Sequence, residues 1–160
     1  MMTSILSNII CSFAGTLAYA IMFNVPRKYY LSCGLTGVAG WMVYMATVNM
    51  VGMTSAMATF CGTIMVVFIS RMLTVRLKCP ITIPLISGII PLVPGAGIYF
   101  TAYYLMTGEM GMAAVQGMNS VKVAFAIVLG IVFVVAIPRQ FFQIGYWKQW
   151  MFLSGKKRKA

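Results

Sequence analysis

One apolar stretch of the chain, residues 81–104, is hydrophobic enough to cross a membrane but contains several residues that interrupt helices. Proline lacks a backbone N–H and clashes with the preceding turn, so an α-helix cannot continue through Pro91 and Pro94. Inside a bilayer, backbone groups freed in this way are tolerated only where protein buries them or where they line a cavity. The interruption, expected at residues 91–95 near the middle of the span, therefore predicts a binding site.

The half-helix that follows the interruption supplies the expected chemistry. If it begins near Gly95, its first backbone N–H groups lack helical partners and form a partial positive end that suits a carboxylate. Gly95 and Gly97 have no side chains and would let a ligand approach the backbone. The alternative is a kinked structural helix whose breaks are satisfied by neighbouring helices. Three prolines and three glycines in one span favour the binding site.

Two polar residues of a later apolar run add to this prediction. Lys122 is the single charge inside a predicted span, and we expect it about 6 Å from the outer start of the span at residues 118–137. At that depth it would either snorkel to the surface or attract an anion. Asn119 shares its helical face and would hydrogen-bond a substrate or a neighbouring helix. The predicted substrate-binding residues are Gly88, Pro91, Pro94, Gly95, Gly97, Asn119 and Lys122.

The inventory of reactive side chains argues against an enzyme. The chain contains no histidine and a single acid, Glu109, so no serine-histidine, cysteine-histidine or paired-carboxylate arrangement is possible, which disfavours hydrolytic or acid-base catalysis. Its four cysteines occur singly in or beside apolar segments, which fits small buried residues better than a metal site or a disulfide framework. We expect no cofactor. If transport is coupled to protons, the proton-carrying acid is either Glu109 or, as we favour, part of another subunit.

Composition places the chain in the lipid bilayer. Of its 160 residues, 61% are hydrophobic and only 8% are charged, whereas soluble domains have about a quarter charged residues. The net charge of +11 does not indicate nucleic-acid binding, because the basic residues lie in clusters between apolar runs. The chain predicts an all-α integral membrane protein with five transmembrane helices, at residues 4–23, 31–48, 56–73, 81–104 and 118–137.

Charge placement predicts how these five spans are oriented. Of the 12 basic residues, all but Lys122 lie at the end of the first, third or fifth span or after it, and five spans place them all on one side. That side is cytoplasmic by the positive-inside rule, so the N-terminus and Glu109 lie outside and the C-terminus inside. Residues 1–140 form the transmembrane domain, and residues 141–160 form an aromatic interfacial helix and a basic tail near anionic headgroups. We expect turns at residues 49–55 and 106–116.

Two motifs carry a resemblance to a known family. Residues 23–27 (Phe-Asn-Val-Pro-Arg) and residues 88–95 (Gly-Ile-Ile-Pro-Leu-Val-Pro-Gly) resemble the threonine/serine exporter family, and the whole chain is similar to the small subunit of its split form. The resemblance implies export of threonine, serine or small carboxylates across the cytoplasmic (inner) membrane of a prokaryote, with a larger membrane subunit as partner. An inverted pair of odd-span subunits with a midplane site would work by alternating access. The competing hypothesis is a structural or assembly subunit that contacts no substrate.

Overall fold

The computed structural model describes residues 2–137, and this part of the chain consists of α-helices, short 3₁₀ turns and connections. The predicted interfacial helix and basic tail at residues 141–160 lie outside the described residues. The 3₁₀ turns are Arg27–Tyr29 and Ile90–Leu92. The helices are α1 (Met2–Met22), α2 (Tyr30–Val51), α3 (Ser55–Leu77), α4 (Thr82–Ile89), α5 (Gly95–Met106) and α6 (Met110–Val135).

The helices of the described residues are those of an integral membrane protein. Three segments are long and apolar enough to cross a bilayer, namely Arg27–Val51, Ser55–Leu77 and Met110–Val135. The pair Thr82–Leu92 and Gly95–Met106, bent by 51°, makes a fourth if it crosses as one span. The apolar helix Leu6–Met22 is shorter. Length and hydropathy thus support three or four of the five predicted spans.

The two turns predicted at residues 49–55 and 106–116 are both shorter than expected. The first is reduced to residues 52–54, because α2 continues to Val51 and Gly52 ends it with a left-handed φ of 67°. The second was predicted at residues 106–116, and this is wrong from Met110 onwards, where α6 begins. Gly108, with a φ of 81°, turns the chain, and the Glu109 N–H donates to the Tyr104 carbonyl at 2.9 Å. The other glycine of this segment, Gly111, lies within α6.

Small residues allow neighbouring helices to pack closely. The glycines of α2 form such a packing stripe. A Cβ at Gly34 would overlap the ring of Phe13 on α1, and one at Gly37 would overlap the Thr16 hydroxyl. Further along α2, Gly40 faces α3. These contacts hold α1 and α3 against adjacent faces of α2.

The contacts also fix the relative directions of the helices. Consecutive helices α1, α2 and α3 are antiparallel, as the short connections between them require, and so are α5 and α6. Helices α3 and α6 are parallel. A Cβ at Gly130 of α6 would lie 2.9 Å from the Thr63 Cβ of α3. Eight residues further along α3, Arg71 donates to the carbonyls of Val135, at 2.7 Å, and of Ile137.

Arg71 fastens the C-terminal end of α6 to α3. Its side chain is only 8% exposed, and the two carbonyls that it contacts lie at the end of α6, where helical carbonyls lack intrahelical donors. A cation at this position also interacts favourably with the negative end of the helix dipole. Because of these helix directions, most basic residues of the described chain lie at the same end of the helix bundle as the end of α6. We call this the basic end, and its residues are Arg27, Lys28, Arg71, Arg76 and Lys78.

Candidate functional site

The predicted interruption of the fourth apolar stretch is present. Helix α4 ends at Ile89, a 3₁₀ turn follows, and α-helix resumes only at Gly95. Val93 is extended, with φ −64° and ψ 134°, as expected for a residue that precedes proline. Pro94 stands at the N-cap of α5. The two prolines therefore separate the half-helices and produce the 51° bend between them.

The N-terminus of α5 presents backbone donors at this break. The Gly95 N–H donates to the Val93 carbonyl at 2.8 Å, and the first regular helical bond runs from the Ile98 N–H to the Pro94 carbonyl at 3.0 Å. The N–H groups of Ala96 and Gly97 precede that bond and have no carbonyl one turn back within α5. A Cβ added at Gly95 would meet nothing within 4 Å. Backbone donors and open space thus coincide at this helix end.

The open space belongs to a cavity of about 900 Å³ between the break and helices α2, α3, α5 and α6. This volume lies within the range of small-molecule sites and far exceeds that of one amino acid. Its polar lining residues are Trp41, Tyr44, Thr54, Ser55, Thr59, Gln116, Asn119, Ser120 and Lys122. Leu92 and Val123 are among its apolar lining residues.

Six of the seven predicted site residues line this one cavity: Pro91, Pro94, Gly95, Gly97, Asn119 and Lys122. Gly88 does not. It is buried where α4 crosses α2 and α3, and a Cβ there would lie 2.8 Å from the Thr36 Cγ2 and 3.1 Å from the Val66 Cγ1. The absence of a side chain at Gly88 thus serves helix packing and does not expose backbone to the cavity.

Lys122 lies much deeper in its helix than the sequence indicated. Because α6 begins at Met110, Lys122 is about 18 Å from the start of the helix, and the expected distance of about 6 Å is wrong. It also lies about 20 Å from the end of α6 at Val135, so it stands near the middle of the helix. Lys122 is exposed in the described chain and lines the cavity, which supplies the polar surroundings that a charge at this depth requires.

Several polar residues of the cavity were not predicted from the sequence, and most of them come from α2 and from the start of α3. Trp41 and Tyr44 stack on each other with ring centroids 5.2 Å apart and an interplanar angle of 25°. Thr59 is buried and donates its hydroxyl to the Ser55 carbonyl at 2.7 Å. Two large aromatic residues three positions apart within a predicted span were the available signal, but aromatic residues in spans usually pack or face lipid.

Leu92 separates the cavity from the tightly packed part of the bundle. Its side chain is 5% exposed and fills the crossing of α2 and α3, where a Cβ at Gly62 would lie 2.9 Å from the Gly40 carbonyl oxygen. On the other side of Leu92, the cavity extends to Thr54 and Ser55 at the start of α3, away from the basic end. None of the five basic-end residues lines it.

Comparison with known proteins identifies the family. The model of the family described as threonine/serine exporter, ThrE, matches residues 8–137, most of the chain and nearly all of the described part. Comparison with curated proteins and with solved structures found no match. The family comprises exporters and is not an enzyme class, and its match agrees with the apolar helices of a protein integral to the membrane. The chain belongs to the threonine/serine exporter family.

Proposed function

We propose that this chain is one subunit of a secondary transporter that exports threonine, serine or small carboxylates across the cytoplasmic membrane of a prokaryote. The observation that carries this proposal is the cavity at the helix break, where the N-terminus of α5 and the side chain of Lys122 line the same space. Both favour a negatively charged group, and both lie within segments that are apolar enough to cross the membrane.

The substrate carboxylate binds at the α5 side of the cavity in this proposal. The backbone N–H groups of Ala96 and Gly97 donate to its oxygens, and Lys122 balances its charge. The Asn119 amide, three residues before Lys122 on α6, supplies one further donor. These interactions are stronger than in bulk water because the surrounding helices lower the local dielectric constant.

The proposed topology has five spans, with α1 as the first and the bent pair α4–α5 as the fourth. The parallel arrangement of α3 and α6 supports it, since both helices then end on the same side of the membrane. The basic end faces the cytoplasm by the positive-inside rule, and the N-terminus and Glu109 face outward. The cavity, which extends towards the start of α3, is then open to the outside, and alternating access requires a second state that opens at the basic end.

A larger membrane subunit of the same family completes the site in this proposal. Helix α5 has no buried residue, and its main helical contact is α6. Its free surface includes aromatic side chains and suits a partner helix. An inverted unit docked there would place a second half-site against the cavity, as in transporters built from inverted repeats. That subunit would also supply the proton-carrying acid if export is proton-coupled, since Glu109 is the only acid of this chain.

A matched pair of substitutions tests the proposed site. A Cβ at either Gly95 or Gly111 would meet nothing within 4 Å, but only Gly95 lines the cavity. We expect Gly95→Trp to fill the cavity and lower threonine efflux from preloaded cells at least tenfold. Gly111→Trp, near the start of α6, should leave efflux within about twofold of wild type. Wild-type efflux by Gly95→Trp at equal protein level would refute the proposed site. An equal loss of efflux in both variants would show that the effect of Gly95→Trp is not specific to the cavity.

A further inference from the structure

The charged residue around the cavity suits the carboxylate of an amino-acid substrate but offers no partner to its ammonium group. The cavity is lined by one charged residue, Lys122, and by backbone and amide donors that suit a carboxylate. The only acid of the chain, Glu109, lies in the connection between α5 and α6 and does not line the cavity. An ammonium group entering the cavity therefore meets no carboxylate of this chain. Another group must stabilise it if the substrate is a zwitterion.

The stacked pair of Trp41 and Tyr44 has the required chemistry. The indole N–H, the only hydrogen-bonding group of tryptophan, already donates to the Asn8 Oδ1 of α1 at 3.3 Å. That bond fixes the ring between α1 and α2. The remaining part of the Trp41 side chain is its aromatic ring, and the ring of Tyr44, stacked on it, lines the same cavity. Aromatic faces attract ammonium groups, and tryptophan does so most strongly.

The two kinds of lining residue also occupy different walls of the cavity. The carboxylate donors belong to α5 and α6, whereas the aromatic pair belongs to α2, which packs against α1, α3 and the break. An α-amino acid carries its two charged groups on one tetrahedral carbon atom, and they point in different directions. Its carboxylate could thus face α5 while its ammonium group faces the aromatic wall.

We propose that Trp41 and Tyr44 form the ammonium subsite of the cavity and make the transporter select amino acids over carboxylates that lack an amine. This inference rests on the proposed function, because it assigns the second charge of the same substrate. The selectivity arises from the aromatic faces, and Asn8 acts as a positioning residue that holds the indole ring. Replacing the aromatic faces should reduce the preference for the amine and leave carboxylate binding intact.

The test compares serine with glycerate, in which a hydroxyl group replaces the ammonium group. Both compounds compete against labelled serine in counterflow, using membrane vesicles from the native host with its chromosomal copy replaced by each variant. The ratio of the two half-inhibitory concentrations measures selectivity for the amine. We expect wild type to prefer serine by about tenfold or more, a factor typical of one cation–π contact out of water. Trp41→Leu should bring the ratio close to one, and Trp41→Phe should give an intermediate ratio.

Two controls make the outcome decisive. Phe125→Leu makes a similar change at an exposed residue of α6 outside the cavity and should leave the ratio unchanged. Tyr44→Leu gives a second removal of aromatic surface if Trp41→Leu does not reach the membrane. A wild-type ratio near one, or an unchanged ratio in the aromatic variants, would overturn the ammonium subsite. Absence of serine counterflow in wild type would instead refute the proposed function.

Discussion

The contact between Gly97 and Ser120 offers a sharp test of how α5 is held against α6. A Cβ at Gly97 would overlap the Ser120 hydroxyl oxygen, whereas the Ser120 Cβ would be 3.6 Å away, an ordinary contact distance. The steric problem in Gly97→Ala therefore comes from one oxygen atom. Removing that atom with Ser120→Ala should remove the problem, because the two methyl groups then fit side by side.

The expected change in the free energy of unfolding follows from the hydrogen bond and the rotamer that Ser120 would lose. Its hydroxyl donates to the Gln116 carbonyl at 2.9 Å, and moving it aside loses about 1 kcal/mol for the bond. An off-rotamer position would add about 0.5–1.5 kcal/mol. The gain from replacing a helical glycine by alanine, at most about 1 kcal/mol, offsets part of this cost. We expect Gly97→Ala to lower the free energy of unfolding by about 1 kcal/mol in wild type and to be neutral or stabilising in Ser120→Ala.

A double-mutant cycle in detergent measures this coupling. The free energy of unfolding of wild type, both single variants and the double variant is obtained by denaturant titration, with helix content as the signal. The two substitutions should couple by about 1–2 kcal/mol, in the direction of rescue. Equal effects of Gly97→Ala in both backgrounds would refute the close packing of α5 on α6. Since Gly97 also lines the cavity, stability and efflux are measured separately.

Three further predictions concern the rest of the bundle. Gly62→Ala should lower the free energy of unfolding by about 1–3 kcal/mol, because its Cβ would lie 2.9 Å from a backbone carbonyl of α2 that cannot rotate away. As a control, Gly15→Ala should be neutral or stabilising, because a Cβ at Gly15 would meet nothing within 4 Å. Arg71→Gln should cost about 1.5–3 kcal/mol through lost charged hydrogen bonds to the end of α6, with faster hydrogen exchange there. Lys122→Glu should lower threonine efflux at least tenfold, and Lys122→Arg should retain most of it.

Each of these predictions has a distinct contrary outcome. Equal unfolding curves for Gly62→Ala and Gly15→Ala would show that α2 and α3 do not approach as closely as the structure has them. Unchanged exchange at the end of α6 in Arg71→Gln would show that the two carbonyls have other donors. Wild-type efflux by Lys122→Glu would remove Lys122 from the substrate site.

The position of the break was predictable from the sequence because its cause is local. Proline lacks an N–H and restricts the residue before it, whatever surrounds it, and so the interruption between Pro91 and Gly95 appears where it was expected. The link between Arg71 and the end of α6 could not be predicted in the same way. The bonded residues are 64 and 66 positions apart, and one arginine at the end of a span does not specify which carbonyls it will meet.

Glycines show most clearly why residue type alone was insufficient. Gly108 turns the chain with a positive φ, Gly62 lets two backbones meet, and Gly95 borders open space. The same residue thus serves three physical purposes, and only the neighbouring elements distinguish them. For this reason the sequence groups Gly88 with the site although it packs α4 against α2 and α3, and predicts a loop at Gly111 although it lies within α6.

The earlier start of α6 changes what Lys122 implies about the molecule. With a helix that began at residue 118, the lysine would have needed no explanation beyond anchoring near the membrane surface. With α6 beginning at Met110, the charge lies near the middle of a 26-residue helix. A lysine at the bilayer centre costs about 2.5–3.5 kcal/mol on insertion scales, and no acid of this chain lies within the cavity to offset that cost. If the middle of α6 lies at the bilayer centre, water in the cavity, an anionic substrate or an acid of the proposed partner subunit must provide the compensation, and each is a feature of a transport pathway.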